Sequence, residues 1–454
     1  MLTEHVPNLD NLDRISPQTP EKLSRVISQG DWRCDNDQLD QLITDMTATL
    51  IARNTSHIGM DFAEIVSVYE LLFQNSVSRG SAKIHEFTYP GEDVKGNFRK
   101  GLIIAPHTLN NEIETVRQLF NSDLPVQEIK PIPVNNVLIH LHLDTVCPMP
   151  LPSEKYLAAF RTYKDPTTGL TYGLGANDMK ATASLAPLLS DLLAEAGIED
   201  AVYVITTDEE SSGDFGGRRL TKCLLSNTLN IDWEPIAGSP GTYCPEIQPG
   251  LGITISPGRD LQDGDLEKLT TEIRKQYSAI CNPMITRTNG HVSISVSGEE
   301  LKRESEREVQ ELKVIAAQVF PKGHMYSMFE NEGHKSNLNI KTRAALAKAL
   351  IANFPLQNPH RQSSHITYSS LKKSALGKVS RESYMYGNFD FMLGMAHRNS
   401  DNTVVMGAHE SGGGRHTPTE ATLIAQQRML LISTFGAVAS LHRMLHLTDQ
   451  SAIV

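Results

Sequence analysis

Five short segments carry acids and histidines whose types and order suit one site for two divalent cations. His142 and Asp144 stand at i and i+2, so on a strand both side chains leave the same face. A carboxylate beside a metal-bound imidazole fixes its tautomer and raises its basicity. Asp178, in GANDMK, follows Gly173, Gly175 and Ala176, a turn able to bring backbone close to a site. Its two oxygens can bridge two cations. Glu209 and Glu210 are adjacent in an Asp-Glu-Glu run at 208–210. In an extended segment their side chains diverge, which suits one to a metal and the other to an attacking water. Glu234, in DWEP, precedes Pro235 and is biased toward an extended conformation. His416 lies in GRHTPTE.

Each segment alone has an ordinary explanation: a polar strand end, a helix cap or a solvated loop. The combination is more specific. Two imidazoles and three carboxylates form a ligand set for zinc, cobalt or manganese. Two such ions, roughly 3.5–4 Å apart, can share a hydroxide and polarise a carbonyl. A carboxylate left over beside that water supplies a general base. The chemistry indicated is hydrolysis by a co-catalytic metal pair, most naturally of an amide bond.

The elements that must position these groups read as α/β. A strand is expected at 136–144, with Leu138, His140, His142 and Asp144 on one face. A second strand, 201–207, runs into Asp208. Between them a helix is expected over 179–195, with Met179, Leu185, Leu188, Leu189, Leu192 and Leu193 as its apolar stripe and Gly197 ending it. Acids at the carboxyl ends of such strands are where α/β sheets build sites. Helical spacing also marks 38–52 and 60–73. From 253 to 385 the texture changes: helices at 264–278, 301–318 and 341–353 alternate with strands at 291–297 and 324–331. This stretch reads as a separate inserted α/β domain, dividing the chain into 1–252 with 386–454 and 253–385. Thr403–Met406 reads as a strand returning to the first domain. Thr417, Pro418 and Glu420 fit a capping box opening the last helix, directly after His416.

A chain of 454 residues suits two domains, and a net charge of −11 gives no general footprint for nucleic acid or anionic membrane. The N-terminal MLTEHVPNLDNLDR lacks the basic and apolar parts of a signal peptide, and no apolar run reaches the length of a membrane span. Five scattered cysteines form no CxxC pair, as expected for reduced thiols in a cytoplasmic protein. Gly412–Gly414 is not followed by the lysine of a phosphate-binding loop.

In order, LHLDTV (141–146), GLGANDMKA (173–181), TTDEES (206–211), WEP (233–235) and GRHTPTE (414–420) resemble the M20 metallopeptidase and deacylase family, as does the 24-residue gap between Glu210 and Glu234. That family includes acetylornithine deacetylase, succinyl-diaminopimelate desuccinylase, aminoacylase and glutamate carboxypeptidase. The resemblance implies a zinc-peptidase-like catalytic domain with a mixed sheet flanked by helices, plus a smaller α/β lid and dimerisation domain. It implies two divalent ions, zinc first and cobalt or manganese as alternatives. His142, Asp178 and Glu234 would hold one ion, and Asp178, Glu210 and His416 the other. Asp144 would orient His142. Glu209 would deprotonate the metal-bridging water, giving the attacking hydroxide, and then protonate the leaving amine. A cis peptide is implied after the bridging aspartate, here Asp178–Met179. Glutamate at 234 resembles the N-acyl amino acid deacylases more than the carboxypeptidases. Because Asp232-Trp233 replaces the usual context, Glu246 in CPEIQPG is the alternative ligand. ENEGHKSNLNIKTRAA (329–345) resembles the lid segment whose histidine stabilises the oxyanion in a partner's site, making His334 the candidate and His291 its competitor. A homodimer acting on an N-acyl amino acid is therefore expected. A dipeptidase, a carboxypeptidase or a silent metal-binding scaffold on the same fold is the alternative.

Overall fold

The structure is a computed structural model that describes residues 12–56, 62–92, 98–146, 159–211, 216–234, 243–247, 250–259, 262, 264–277, 284–288, 291–297, 305–331, 334–353, 382–385, 402–408 and 419–450. Helices α1 (Asn36–Ile51) and α2 (Phe62–Ser78) lead into an antiparallel pair, β1 (Lys83–Glu92) and β2 (Phe98–Ala105). The three strands that matter for the site follow: β3 (Val137–His142), β4 (Ala201–Thr206) and β5 (Leu229–Asp232). All three are buried along their whole length. β4 reads as a nearly continuous apolar run because both faces of a parallel sheet are covered, while β3 and β5 bury polar residues as well.

Further along come β6 (Tyr243–Ile247), β7 (Gly250–Ser256), β8 (Met284–Thr288), β9 (His291–Ser297), β10 (His324–Asn331), β11 (His334–Lys335), β12 (Glu382–Met385) and β13 (Thr403–Val405). The large sheet runs in the order β11-β6-β13-β5-β3-β4-β2-β1, with β12 also on β6. Its centre is parallel: β13 on β5, β5 on β3, and β3 on β4. Its flanks are antiparallel, β2 on β4 and β6 on β13. This is the expected mixed sheet flanked by helices.

Alternation along β3 decides what each face meets. Ile139 and Leu141 enter a core with α1, α2, the helix Leu185–Glu195 and the long final helix Ile424–Gln450. Leu138 points the other way, into a smaller core with Ile113, Val116 and Leu220. His140 and His142 share the face of Leu138.

The helix expected over 179–195 forms as two pieces, Lys180–Ala183 and Leu185–Glu195. Pro187 lacks the N–H that would bond the Ala183 carbonyl. That carbonyl instead accepts from the Tyr69 hydroxyl. Gly197, at φ +68°, ends the second piece as expected, with Ile198 N–H donating to Leu193 O at 2.8 Å.

A second sheet, β8-β9-β7-β10, is antiparallel and carries helices Asp265–Tyr277 and Ser305–Val319. Its core of Ile253, Ile255, Leu269, Ile273, Val292, Ile294 and Leu312 is distinct from the first two. The residues after β10 rejoin the large sheet. β11 pairs with β6, and Leu346 and Leu350 of helix Ile340–Asn353 lie in the main core against the final helix. Among the described residues no helix is long and apolar enough to cross a membrane.

Candidate metal centre

Parallel pairing places the carboxyl ends of β5, β3 and β4 side by side, and the acids leave from those ends. Asp232 stands opposite His140 in the β5–β3 register, and Trp233 N–H continues the ladder to His140 O at 3.0 Å. Two residues on, Glu234 therefore comes alongside His142, and its Oε1 lies 3.5 Å from His142 Nε2. Of the two expected acids, this register brings Glu234 beside His142. Glu246 sits on β6, beyond β13 and β5, where its backbone pairs with Lys335.

His142 is fully buried. Its Nε2 lies 3.2 Å from Asp178 Oδ1 and 3.8 Å from Glu209 Oε2. Its Nδ1 faces Asp144, 3.1 Å from the carbonyl oxygen and 3.4 Å from Oδ1. The Asp144 carboxylate also accepts from Glu209 N–H at 3.2 Å and Glu210 N–H at 3.0 Å. One buried carboxylate thus orients an imidazole and the short 3₁₀ turn Glu209–Ser211 together. Among the described residues, potential ligand atoms gather in two groups, His142 with Asp178 and Glu210, and His142 with Glu209 and Glu234. These groups differ from the ligand sets expected from sequence, because Glu209 also comes within reach of the cluster, though at 3.8 Å from His142 Nε2 it stands farther off than Asp178 or Glu234.

The electrostatics follow from packing acids around one imidazole out of water. Burial and the charges of Glu234, Glu210 and Asp178 push the Glu209 carboxyl well above its usual range, against the pull of His142. For His142, burial disfavours the charged form, but Glu209 and Glu234 lift it well above the ordinary value. Burial also opposes the Asp144 carboxylate, yet His142, Arg99 and the Glu210 N–H hold it below the usual range. A buried set of oxygens and one nitrogen, with more negative charge than one histidine can offset, fits divalent cations of the zinc, cobalt or manganese kind.

Other sequence-read residues fall differently. Asp208, the first of the three consecutive acids, does not join the cluster. It accepts from Gly216 and Gly217 N–H, both at 3.0 Å, and lies 3.3 Å from the Tyr89 hydroxyl. Burial and the charge of Asp144 push it up to about 6. The Asp178–Met179 peptide is cis. Of His334, the backbone is placed opposite Ile247 at the edge of the large sheet, and His291 begins β9. His416, with Thr417 and Pro418, lies outside the described residues, as do Gly412–Gly414.

The capping-box reading of Glu420 is corrected. The final helix begins at Ile424, after Ala421–Leu423 pairs with Leu170–Tyr172, so Glu420 is held beside a strand. Its carboxylate accepts from backbone N–H groups of the turn bearing Asp178. The pattern's local chemistry fits a cap, but strand pairing with a distant segment prevails.

A second pair was not singled out. His140 Nδ1 and Asp232 Oδ1 lie 2.7 Å apart, both fully buried, two residues before His142 and Glu234 on their strands. Their signal is the i−2 spacing on each strand, visible once β3 and β5 are paired. Removing one partner, as in H140L or D232L, is expected to destabilise the fold by roughly 3–5 kcal/mol, whereas the double leucine variant lies close to wild type. Urea denaturation of the four proteins measures this. Additive losses in the double variant contradict it.

The comparisons with known proteins show the family and the fold. The profile described as Peptidase family M20/M25/M40 matches residues 138–428, more than half of the chain, from the start of β3 into the final helix. No curated protein matches the sequence significantly. Among solved structures, a tripeptidase from Staphylococcus aureus subsp. aureus Mu50 is 14% identical, with a TM-score of 0.50 over 89% of this chain and 99% of that one. The di-peptidase Dug1p from Saccharomyces cerevisiae is 10% identical, with a TM-score of 0.51 over 94% of this chain and 99% of that one. At such identities these likenesses show the fold. With the family profile spanning every candidate ligand, the chain belongs to the M20/M25/M40 peptidase family, a metal-binding hydrolase.

Proposed function

We propose that the protein hydrolyses the amide bond of an N-acyl amino acid. The observation that carries this reading is the placement of Glu209. Its N–H is fixed by Asp144, and its carboxylate is held at the cluster, 3.8 Å from His142 Nε2. His142, Asp178 and Glu234 would hold one divalent ion, and Asp178, Glu210 and His416 the other, zinc in the first place. Bound there, the ions would supply Lewis acidity to the amide carbonyl and acidify a water.

Glu209 takes a proton from the attacking water and returns it to the leaving amine. Asp144 keeps His142 in one orientation and holds the Glu209–Glu210 turn. His334, or else His291, donates to the oxyanion from the inserted segment. The catalytic unit comprises 1–252 and 386–454, and the insert 253–385. Within that insert the separate core belongs to β7–β10, while 334–353 and 382–385 are anchored on the large sheet. A cytoplasmic homodimer that engages neither nucleic acid nor membrane completes the reading. Glutamate rather than aspartate at 234 favours an acyl amino acid. A small peptide is the second reading, favoured by the similarity to a tripeptidase and a di-peptidase.

The test is a panel of N-acyl amino acids and dipeptides offered to zinc- or cobalt-loaded protein. Turnover of acyl amino acids is expected, lost on chelation and restored by metal. Faster cleavage of dipeptides selects the second reading, and two bound ions without turnover of any substrate indicates a silent scaffold.

A further inference from the structure

Glu420 makes an unusual set of contacts with the turn that presents Asp178. Its carboxylate accepts from Asn177 N–H and Asp178 N–H, each at 2.6 Å, and from Gly175 N–H at 3.3 Å. Its own carbonyl accepts from Gly173 N–H at 3.0 Å. The side chain is 1% exposed, and the turn lies more than 240 residues away in sequence. Gly175 adopts φ +79°, where a Cβ would meet Thr145 Cγ2 at 2.7 Å, so the turn is pressed against the segment following Asp144. Lys180 N–H closes the turn onto Gly175 O at 2.7 Å, and the buried Lys180 Nζ donates to Arg53 O at 2.8 Å.

We propose that Glu420 is the positioning residue for the Asp178 carboxylate. The Asp178 nitrogen is two bonds from its own Cβ, so fixing that N–H fixes the origin of the side chain. Three donors converging on one carboxylate make charge-assisted bonds that hold more firmly than neutral ones. A metal site tolerates only about 0.5 Å of play in its ligands before function suffers. Glutamine at 420 would retain one carbonyl oxygen but turn an amide donor toward N–H groups that need an acceptor.

This inference rests on the metal-site reading above, and the test separates the two. Gln427 supplies the control: it is fully buried and links the same two segments, accepting from Thr182 Oγ1 at 3.1 Å and donating to Thr422 Oγ1 at 3.0 Å. Zinc binding to the full chain is measured by competition with a chromophoric chelator, alongside thermal unfolding, for wild type, E420Q and Q427L. E420Q is expected to bind at least one ion roughly 10–100-fold more weakly. Q427L is expected to unfold at lower temperature yet bind zinc as the wild type does. Affinities of E420Q indistinguishable from wild type, or equal weakening in Q427L, would overturn the proposal while leaving the metal site intact. Wild type failing to take two ions would overturn both. Should E420Q not fold, amide exchange in the metal-free wild type decides. Slow exchange at Gly175, Asn177 and Asp178 supports the clamp, and exchange at open-loop rates overturns it.

Discussion

The E209Q protein is expected to bind divalent ions as the wild type does and to turn over substrate roughly 100- to 10,000-fold more slowly. Glutamine has nearly the shape of glutamate, and the backbone that carries it stays fixed by Asp144 Oδ1 at 3.2 Å from the residue's N–H. What it loses is the capacity to take and return a proton. Without ions, burial and the neighbouring acids raise the proton affinity of Glu209. The loss should therefore fall on kcat and leave KM near its wild-type value. Steady-state kinetics with metal content measured on the same samples checks this. Loss of metal in E209Q would instead make Glu209 a ligand, as its proximity to His142 and Glu234 allows. Full activity would remove it from the chemistry.

D144A is expected to damage stability and metal binding together. Asp144 is fully buried and serves three groups: the His142 ring at 3.4 Å, Glu209 N–H at 3.2 Å and Glu210 N–H at 3.0 Å. Alanine strips the side-chain acceptor from each, and each buried donor left unmet costs about 1–3 kcal/mol. Loss of the carboxylate beside His142 should also weaken metal binding by roughly 10–100-fold. Asparagine keeps one oxygen for one of the two amides, so D144N should fall between D144A and wild type. Denaturation with and without zinc checks the pair. Metal should rescue D144A less than wild type, because stabilisation by a ligand falls as its affinity falls. Equal rescue would show that Asp144 supports the fold alone.

What could be read in advance was what local pattern controls. The residues of β3 and β4 announce buried parallel strands, and the order of acids at their ends places them at the carboxyl edge of the sheet. His142, Asp144, Asp178, Glu209, Glu210 and Glu234 meet there because neighbouring parallel strands bring their ends together. The features that escaped depend on partners distant in sequence. Glu420 satisfies a cap pattern locally, but its true donors lie in 175–178, and only the pairing of Ala421–Leu423 with Leu170–Tyr172 brings them near. His140 and Asp232 are 92 residues apart and meet through the register of β3 with β5. Helix Ile340–Asn353 has an apolar face in either domain, and nothing local states that Leu346 and Leu350 enter the main core. The Asp208 carboxylate could not be told from its neighbours until Gly216 and Gly217 were seen to occupy it.

The central proposal is that His142, Asp178, Glu210 and Glu234 would surround two divalent ions. Anomalous diffraction at the zinc edge, from crystals of the full chain grown with saturating zinc, tests it most directly. Two peaks are predicted, sharing Asp178, one beside His142 and Glu234 and the other beside Glu210. A single peak, or none among these residues, would contradict the account.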